Sequence, residues 1–142
     1  MANNGLISVK IASPEKAVFK GNVVSVVIPA KAGRVELIPR RAPMIAMLSV
    51  GVVQVEEGSS KRAFFIEGGI VEIKDDNCII LTNSVMELRK GGRNRMEIAA
   101  LLTEYKKDLK GARNKIEKRI MRDHIKYAEM ILDTMDKMKN PN

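Results

Sequence analysis

The stretch from Ala63 to Ile73, reading Ala-Phe-Phe-Ile-Glu-Gly-Gly-Ile-Val-Glu-Ile, constrains the fold more than any other. Two β-branched and aromatic runs, Ala63 to Ile66 and Ile70 to Ile73, flank Gly68-Gly69, a pair able to take the positive φ that a tight reversal or bulge needs. The pattern predicts two strands meeting at a glycine corner. Phe64, Phe65, Ile66, Ile70, Val71 and Ile73 are the densest apolar cluster before Arg89, and other strands must cover it. The stretch is therefore expected at the centre of a β core.

Strands on either side fit that expectation. Leu6 to Ile11 alternates, with Ile7, Val9 and Ile11 on one face, as a half-buried strand does. Ser13-Pro14-Glu15 reads as a turn, Ala17 to Lys20 as a short strand, and Gly21-Asn22 as a second turn before Val23 to Ile28. Pro29 to Gly33 interrupts the pattern, Arg34 to Ile38 resumes it, and Pro39 with Pro43 brackets a loop over Arg40-Arg41-Ala42. Met44 to Leu48 and Gly51 to Val55 read as two further strands, and Glu57-Gly58-Ser59-Ser60 as a hairpin turn. Asp75-Asp76-Asn77 leads into a last strand, Cys78 to Val85. Short strands with turns between them predict an antiparallel sandwich or barrel.

Beyond Leu88 the character changes. Arg89-Lys90-Gly91-Gly92-Arg93-Asn94 is polar and glycine-rich, and no proline follows until Pro141. A domain boundary is expected there, giving an N-terminal domain of residues 1–88 and a C-terminal one of residues 89–142. Met96 to Leu109 spaces Ile98, Leu101, Leu102, Tyr105 and Leu109 helically, and Lys110-Gly111 can end that helix. Arg113 to Lys139 carries Ile116, Ile120, Tyr127, Ile131 and Met138 on one stripe, with Met121, Ile125, Ala128, Leu132 and Met135 beside it. The fold class is thus α+β: an antiparallel β-sandwich followed by an antiparallel two-helix hairpin. Two helices bury little surface alone, so the hairpin is expected to lean on the β domain or on something else.

Chemistry-bearing residues are sparse. The chain of 142 residues holds one cysteine and one histidine, which leaves no zinc constellation. Cys78 lies in an apolar run and reads as a buried thiol in a reduced protein. His124 has no serine or cysteine nucleophile placed for it, so the chain is not expected to be an enzyme, nor to hold a cofactor or metal. No run approaches a membrane span of ~18 apolar residues, and Met-Ala-Asn-Asn-Gly at the start lacks a secretory pattern. The net charge of +8 favours an acidic partner. Nucleic acid is one candidate and a basic interaction module the alternative reading. Tyr105 and Tyr127, however, fall on apolar stripes rather than among the arginines, so stacking platforms are missing and no nucleic-acid partner is expected.

In order along the chain stand the opening strand with Ser13-Pro14, the step Phe19-Lys20-Gly21, the loop Gly33-Arg34-Val35-Glu36-Leu37-Ile38-Pro39-Arg40-Arg41-Ala42-Pro43, Gly51 before a strand, and Gly68-Gly69 with Ile70 and Val71. Together these resemble, from Leu6 to Val85, the epsilon subunit of F-type ATP synthases. The resemblance implies a non-catalytic part of the rotor, or central stalk, in a proton-driven synthase. Its sandwich would bind the gamma subunit and the ring of c subunits, and its hairpin would extend along gamma and restrain ATP hydrolysis. It also implies a peripheral place at the cytoplasmic face of a bacterial inner membrane, reached through the complex.

Carried onto this sequence, the resemblance turns Arg34, Arg40 and Arg41 toward the c ring, in a loop stiffer and more basic than the family's Pro-Gly-His-Ala-Pro. It makes Arg113, Lys115, Lys118, Arg119, Arg122 and Lys126 the residues that meet the alpha/beta catalytic subunits and gamma. Of the Leu-Asp-x-x-Arg-Ala type motif through which some members hold ATP, only Arg95 is kept, so weak or no ATP binding is expected. Gly91-Gly92 reads more simply as a hinge.

Overall fold

The computed structural model describes residues 5–88 and 92–138. Two compact units are present, Met1–Glu87 and Leu88–Asn142.

The first unit is built from eight strands: β1 (Ile7–Ala12), β2 (Ala17–Val23), β3 (Ser25–Ala30), β4 (Gly33–Leu37), β5 (Met44–Glu56), β6 (Lys61–Lys74), β7 (Asn77–Leu81) and β8 (Val85–Leu88). They run in the order β2-β1-β7-β6-β5-β3-β4, with β8 also paired to β6. The long β5–β6 hairpin organises the rest. Where Met44–Met47 pairs with Ile70–Ile73, β7, β1 and β2 extend the sheet; where Gly51–Glu56 pairs with Lys61–Ile66, β3, β4 and β8 extend it. Each half of the hairpin thereby seeds one layer. The inward residues Ile7, Val9, Ile11, Phe19, Val26, Ile28, Leu37, Val53, Phe64, Ile66, Val71, Ile73 and Ile80 join in one buried core. Phe19 of one layer meets Phe64 of the other at 5.5 Å between ring centroids, tilted by 58°. A tilted contact at this separation avoids the face-to-face sandwich that aromatic quadrupoles disfavour.

The stretch at Gly68-Gly69 does not separate two strands. β6 passes through it unbroken, and the β5–β6 register is constant from Met44↔Ile73 to Glu56↔Lys61. Gly68 (φ 83°) and Gly69 (φ 139°) bend the strand between layers without inserting a residue. Likewise Gly51 lies within β5, whose two expected strands are one. A Cβ there would sit 2.8 Å from the Pro29 Cβ, so glycine makes room for a proline ring. Pro29 is itself inside β3. It is tolerated because the β3–β5 register shifts between Val27 and Ala30, where its missing N–H is not required.

Other turn readings also change. Gly21-Asn22 is not a turn but part of β2, paired with Val9 and Ser8. Glycine is used there because a side chain would press within 3.2 Å of the Phe19 ring. The expected last strand, Cys78 to Val85, is two strands parted by Thr82–Ser84. Buried Thr82 donates its N–H to the Ala12 carbonyl and its hydroxyl to the Ser84 carbonyl, satisfying the polar groups of a crossover from β7 to β8. The sheet is not wholly antiparallel, since β1 pairs with β7 in parallel.

The second unit is a helical hairpin, α1 (Gly92–Lys110) and α2 (Lys115–Met138). The end of α1 closes through Gly111 N–H to the Asp108 carbonyl (3.1 Å), with Lys107 and Lys110 in its last turn opposing the dipole. Asn114 caps α2: its Oδ1 accepts the Glu117 N–H at 2.8 Å, while the Glu117 carboxylate accepts the Arg113 N–H at 2.7 Å. This reciprocal pair resembles a capping box and sets the start of α2. Ala128, Ile131 and Met135 are buried, but Ile116 is 73% exposed and Ile120 and Leu101 also face solvent. The apolar stripes read from the sequence are thus only partly covered.

Candidate functional site

The residues singled out in the sequence fall into three places. Arg40 and Arg41 sit in the loop between β4 and β5, beside the turn Asp75–Asp76. Arg40 takes a left-handed φ of 67° and its amide donates to Asp76 Oδ1 at 2.7 Å. Asp75 and Asp76 are left-handed too, at 52° and 60°. Three non-glycine residues in that region mark a tightly shaped end of the sandwich. The Arg41 guanidinium lies over the Met44 sulfur (3.6 Å), and its Nε is buried without a hydrogen-bond partner. Arg34 is not with them. It is exposed on β4 opposite Pro29, with the ~10 Å from Arg34 to Leu37 at ~3.3 Å per residue intervening.

Along α2, Lys115, Lys118, Arg119, Arg122 and Lys126 recur at the three- and four-residue steps of one helical stripe. All five are exposed, as is Arg113 ahead of the helix, and none has an ion-pair partner among the described residues. The hairpin's cross-helix ion pairs lie elsewhere: Lys106 to Glu129 (3.9 Å), and Arg95 to Asp136 through two hydrogen bonds of 2.8 and 3.1 Å. Arg95, the one retained position of the nucleotide motif, is therefore engaged by a carboxylate of α2, which raises its pKa. Gly92 is the first residue of α1, and Gly91 lies outside the described residues. His124 is exposed, its Nδ1 2.7 Å from the Ile120 carbonyl and its ring edge-on to Tyr105 at 5.1 Å, a helix-pairing contact.

A third place went unread in the sequence. Met47, Ile70 and Leu81 stand directly opposite one another across β5, β6 and β7, with Ile45 and Ile79 one step along the same face. All five are exposed, Ile45 by 72% and Met47 by 59%. Ile70, expected in the core, is thus on the outer face. The row runs into a cleft of about 430 Å³ lined by Ala12, Ser13, Pro14, Gly69, Thr82 and Asn83 with Ile70 and Leu81. Ile45-Ala46-Met47 and Ile79-Ile80-Leu81 are continuous apolar runs, so the sequence does not mark which residues face outward, and only the strand order joins them into one patch.

Cys78 is the only described thiol, buried on β7, and burial pushes its pKa from 9.0 up to about 12. A low-pKa, accessible thiolate is what reactivity requires, so this one is inert. We expect a thiol-specific reagent at pH 8 to leave the folded protein unlabelled and to label it fully in denaturant; rapid labelling of the native protein would contradict this. Because the folded pKa is the higher one, the stability this thiol contributes is present below pH 9 and is lost as pH climbs from 9 through about 12. Among the described residues no cluster of His, Cys, Asp and Glu could hold a metal. No described helix is long and apolar enough to cross a membrane.

Comparison with known proteins gives one consistent result. The family model for the beta-sandwich domain of the ATP synthase delta/epsilon chain matches residues 6–88. The ATP synthase epsilon chain of Leptospira interrogans is 38% identical over 77 residues, which is 54% of this chain and 61% of the relative, so this chain spans under two thirds of that protein. The mitochondrial ATP synthase subunit delta of Kluyveromyces lactis is 31% identical over 112 residues, covering 78% and 70% of the two chains. In fold, a chain of the Euglena gracilis mitochondrial ATP synthase OSCP/F1/c-ring assembly superposes with a TM-score of 0.77 at 16% identity, over 92% of this chain and 82% of the other.

Proposed function

This chain belongs to the ATP synthase delta/epsilon family, and from that premise we propose that it is a non-catalytic subunit of the central stalk of an F-type ATP synthase. In this reading residues 1–88 bind the gamma subunit and the c ring, and residues 89–142 form a regulatory hairpin that restrains ATP hydrolysis. The protein would stay peripheral, at the cytoplasmic face of a bacterial inner membrane, through contacts with the complex. The observation that carries the reading is the family match over the sandwich, joined to a two-helix unit in the same chain.

Two surfaces support it. The row Ile45, Met47, Ile70, Ile79 and Leu81 is a contiguous apolar patch, of the kind subunit interfaces cover. The basic stripe of α2 has no ion-pair partner among the described residues and suits an acidic segment of the alpha/beta subunits. Such contacts form quickly and weaken with salt, as a reversible brake requires. The remaining cations, Arg40 and Arg41 at the loop end and Arg34 on β4, would face the c ring, with Gly91 and Gly92 as the hinge of the hairpin.

The test is the ATP hydrolysis rate of the reconstituted catalytic complex carrying the full chain, or the full chain with Lys118, Arg119 and Arg122 each replaced by glutamine. Both should bind, and the unmodified chain should slow hydrolysis several-fold at low salt, with the triple variant restoring most of the rate. Equal rates with both bound would remove the braking role. Failure of either to bind would remove the stalk assignment.

A further inference from the structure

Strand pairing lays out the outer face of β5, β6, β7 and β1 as rows of facing residues. One row reads Met47, Ile70, Leu81 and Ala12, and the next reads Ile45, Glu72, Ile79 and Lys10. Glu72 is therefore set into the apolar patch. Ile45 and Ile79 stand directly opposite it on either side, and Ile70 is two residues back on its own strand. It is exposed and makes no ion pair among the described residues. Two cations share the face without pairing to it: Lys74, two residues further along β6, and Lys10, two strands away at ~4.8 Å per strand. In the free chain water solvates the Glu72 carboxylate. Under a partner that water is lost, and a buried carboxylate without a counter-charge strongly opposes association. A wholly apolar covering segment is thus disfavoured at the middle of the patch, and one that brings a cation to Glu72 is favoured.

We propose that Glu72 sets the specificity of this apolar face: the segment that covers Ile45, Met47, Ile70, Ile79 and Leu81 belongs to the gamma subunit and seats a lysine or arginine on Glu72. The inference rests on the stalk reading above, in which the arginine loop faces the c ring and the sandwich also binds gamma. Apolar contact supplies the affinity, and the single buried charge pair fixes register and excludes wrong partners. Its sign is the opposite of that at the Arg40-Arg41 loop and on the α2 stripe, both of which call for acidic partners. A chain of net charge +8 thereby keeps one docking face for a basic partner.

Binding of the full chain to the catalytic complex, reconstituted with gamma and without the c ring, tests this through the sign of one substitution. Glu72→Leu enlarges the apolar patch. With a cation opposite, the change leaves that cation buried and unpaired, and binding should weaken by about tenfold or more. With none opposite, it removes a buried charge and binding should tighten. Glu72→Gln, of the same size as the native residue, should weaken binding as well, whereas Lys74→Gln at the edge of the patch should change it by less than about threefold. Ile70→Ser should weaken binding because it breaks the row itself. Tighter or unchanged binding of Glu72→Leu and Glu72→Gln, with Ile70→Ser still weakened, overturns the charge pair and leaves the stalk reading standing. Full binding of Ile70→Ser overturns the proposal by showing that gamma covers another face. Failure of the unmodified chain to bind removes the stalk reading and the proposal together.

Discussion

Replacing Gly69 with alanine should cost the sandwich a large part of its stability, by about 2–6 kcal/mol. The figure is the sum of two effects that act together at this residue. Its φ of 139° is a region that side-chain-bearing residues avoid at a cost of ~1–3 kcal/mol. A Cβ would also collide with the Leu81 carbonyl oxygen and come within 3.1 Å of the Thr82 Cα, both backbone atoms that no rotamer change can move aside. Overpacking of that kind costs ~1–3 kcal/mol more. Against the ~5–15 kcal/mol that holds a whole domain, this is the difference between a folded and a marginal protein. Gly68→Ala is the control. Its φ is also positive, at 83°, but the nearest atom, the Leu48 carbonyl oxygen, is at an ordinary 3.5 Å. Denaturant midpoints of the two variants should differ clearly, with Gly69→Ala far lower; equal midpoints would mean that the approach of β6 to β7 does not decide the matter.

Phe64→Ala is expected to cost about 3–5 kcal/mol, the range for emptying an aromatic side chain from a closed core. Phe64 is fully buried, pairs with Val53 of β5, and its ring meets the Phe19 ring of the opposite layer. Its loss removes the contact that joins the layers and one of the two rings beneath Arg62. Phe64→Leu, which refills most of the volume, should recover more than half of the loss. A loss under ~1 kcal/mol for the alanine variant would mean that the layers close over the vacancy, contrary to the rigidity of a close-packed interior.

Much of this was legible in the sequence because it depends on local periodicity. The inward set of β1 follows from alternation, and the basic stripe of α2 from three- and four-residue spacing. Glycine and proline misled wherever their reason was a close packing contact rather than a turn. Gly21 serves the Phe19 ring, Gly51 serves Pro29, and Gly69 serves the Leu81 carbonyl. Gly21 was read as a turn and Gly69 as a corner between strands, the commonest local uses of the residue, and Gly51 as the start of a strand; each lies inside a strand. The candidate contact sites divide in the same way. Lys115 to Lys126 could be placed on one face from their numbers alone, whereas Arg34 parted from Arg40 and Arg41 only when β4 was seen to run between them.

What the amino-acid order determined by itself is therefore what neighbours within a turn or a pleat decide: the inward face of β1, the two helices, and the change of character after Leu88. What only the tertiary structure decided is what each strand lies beside. The parallel pairing of β1 with β7, the row Met47-Ile70-Leu81 and the fork of Arg62 on Glu87 all join residues far apart in the chain. Periodicity specifies which face of a strand is buried, but many strand orders bury the same faces. Hydrogen-bond satisfaction and close packing choose among them over the whole molecule at once.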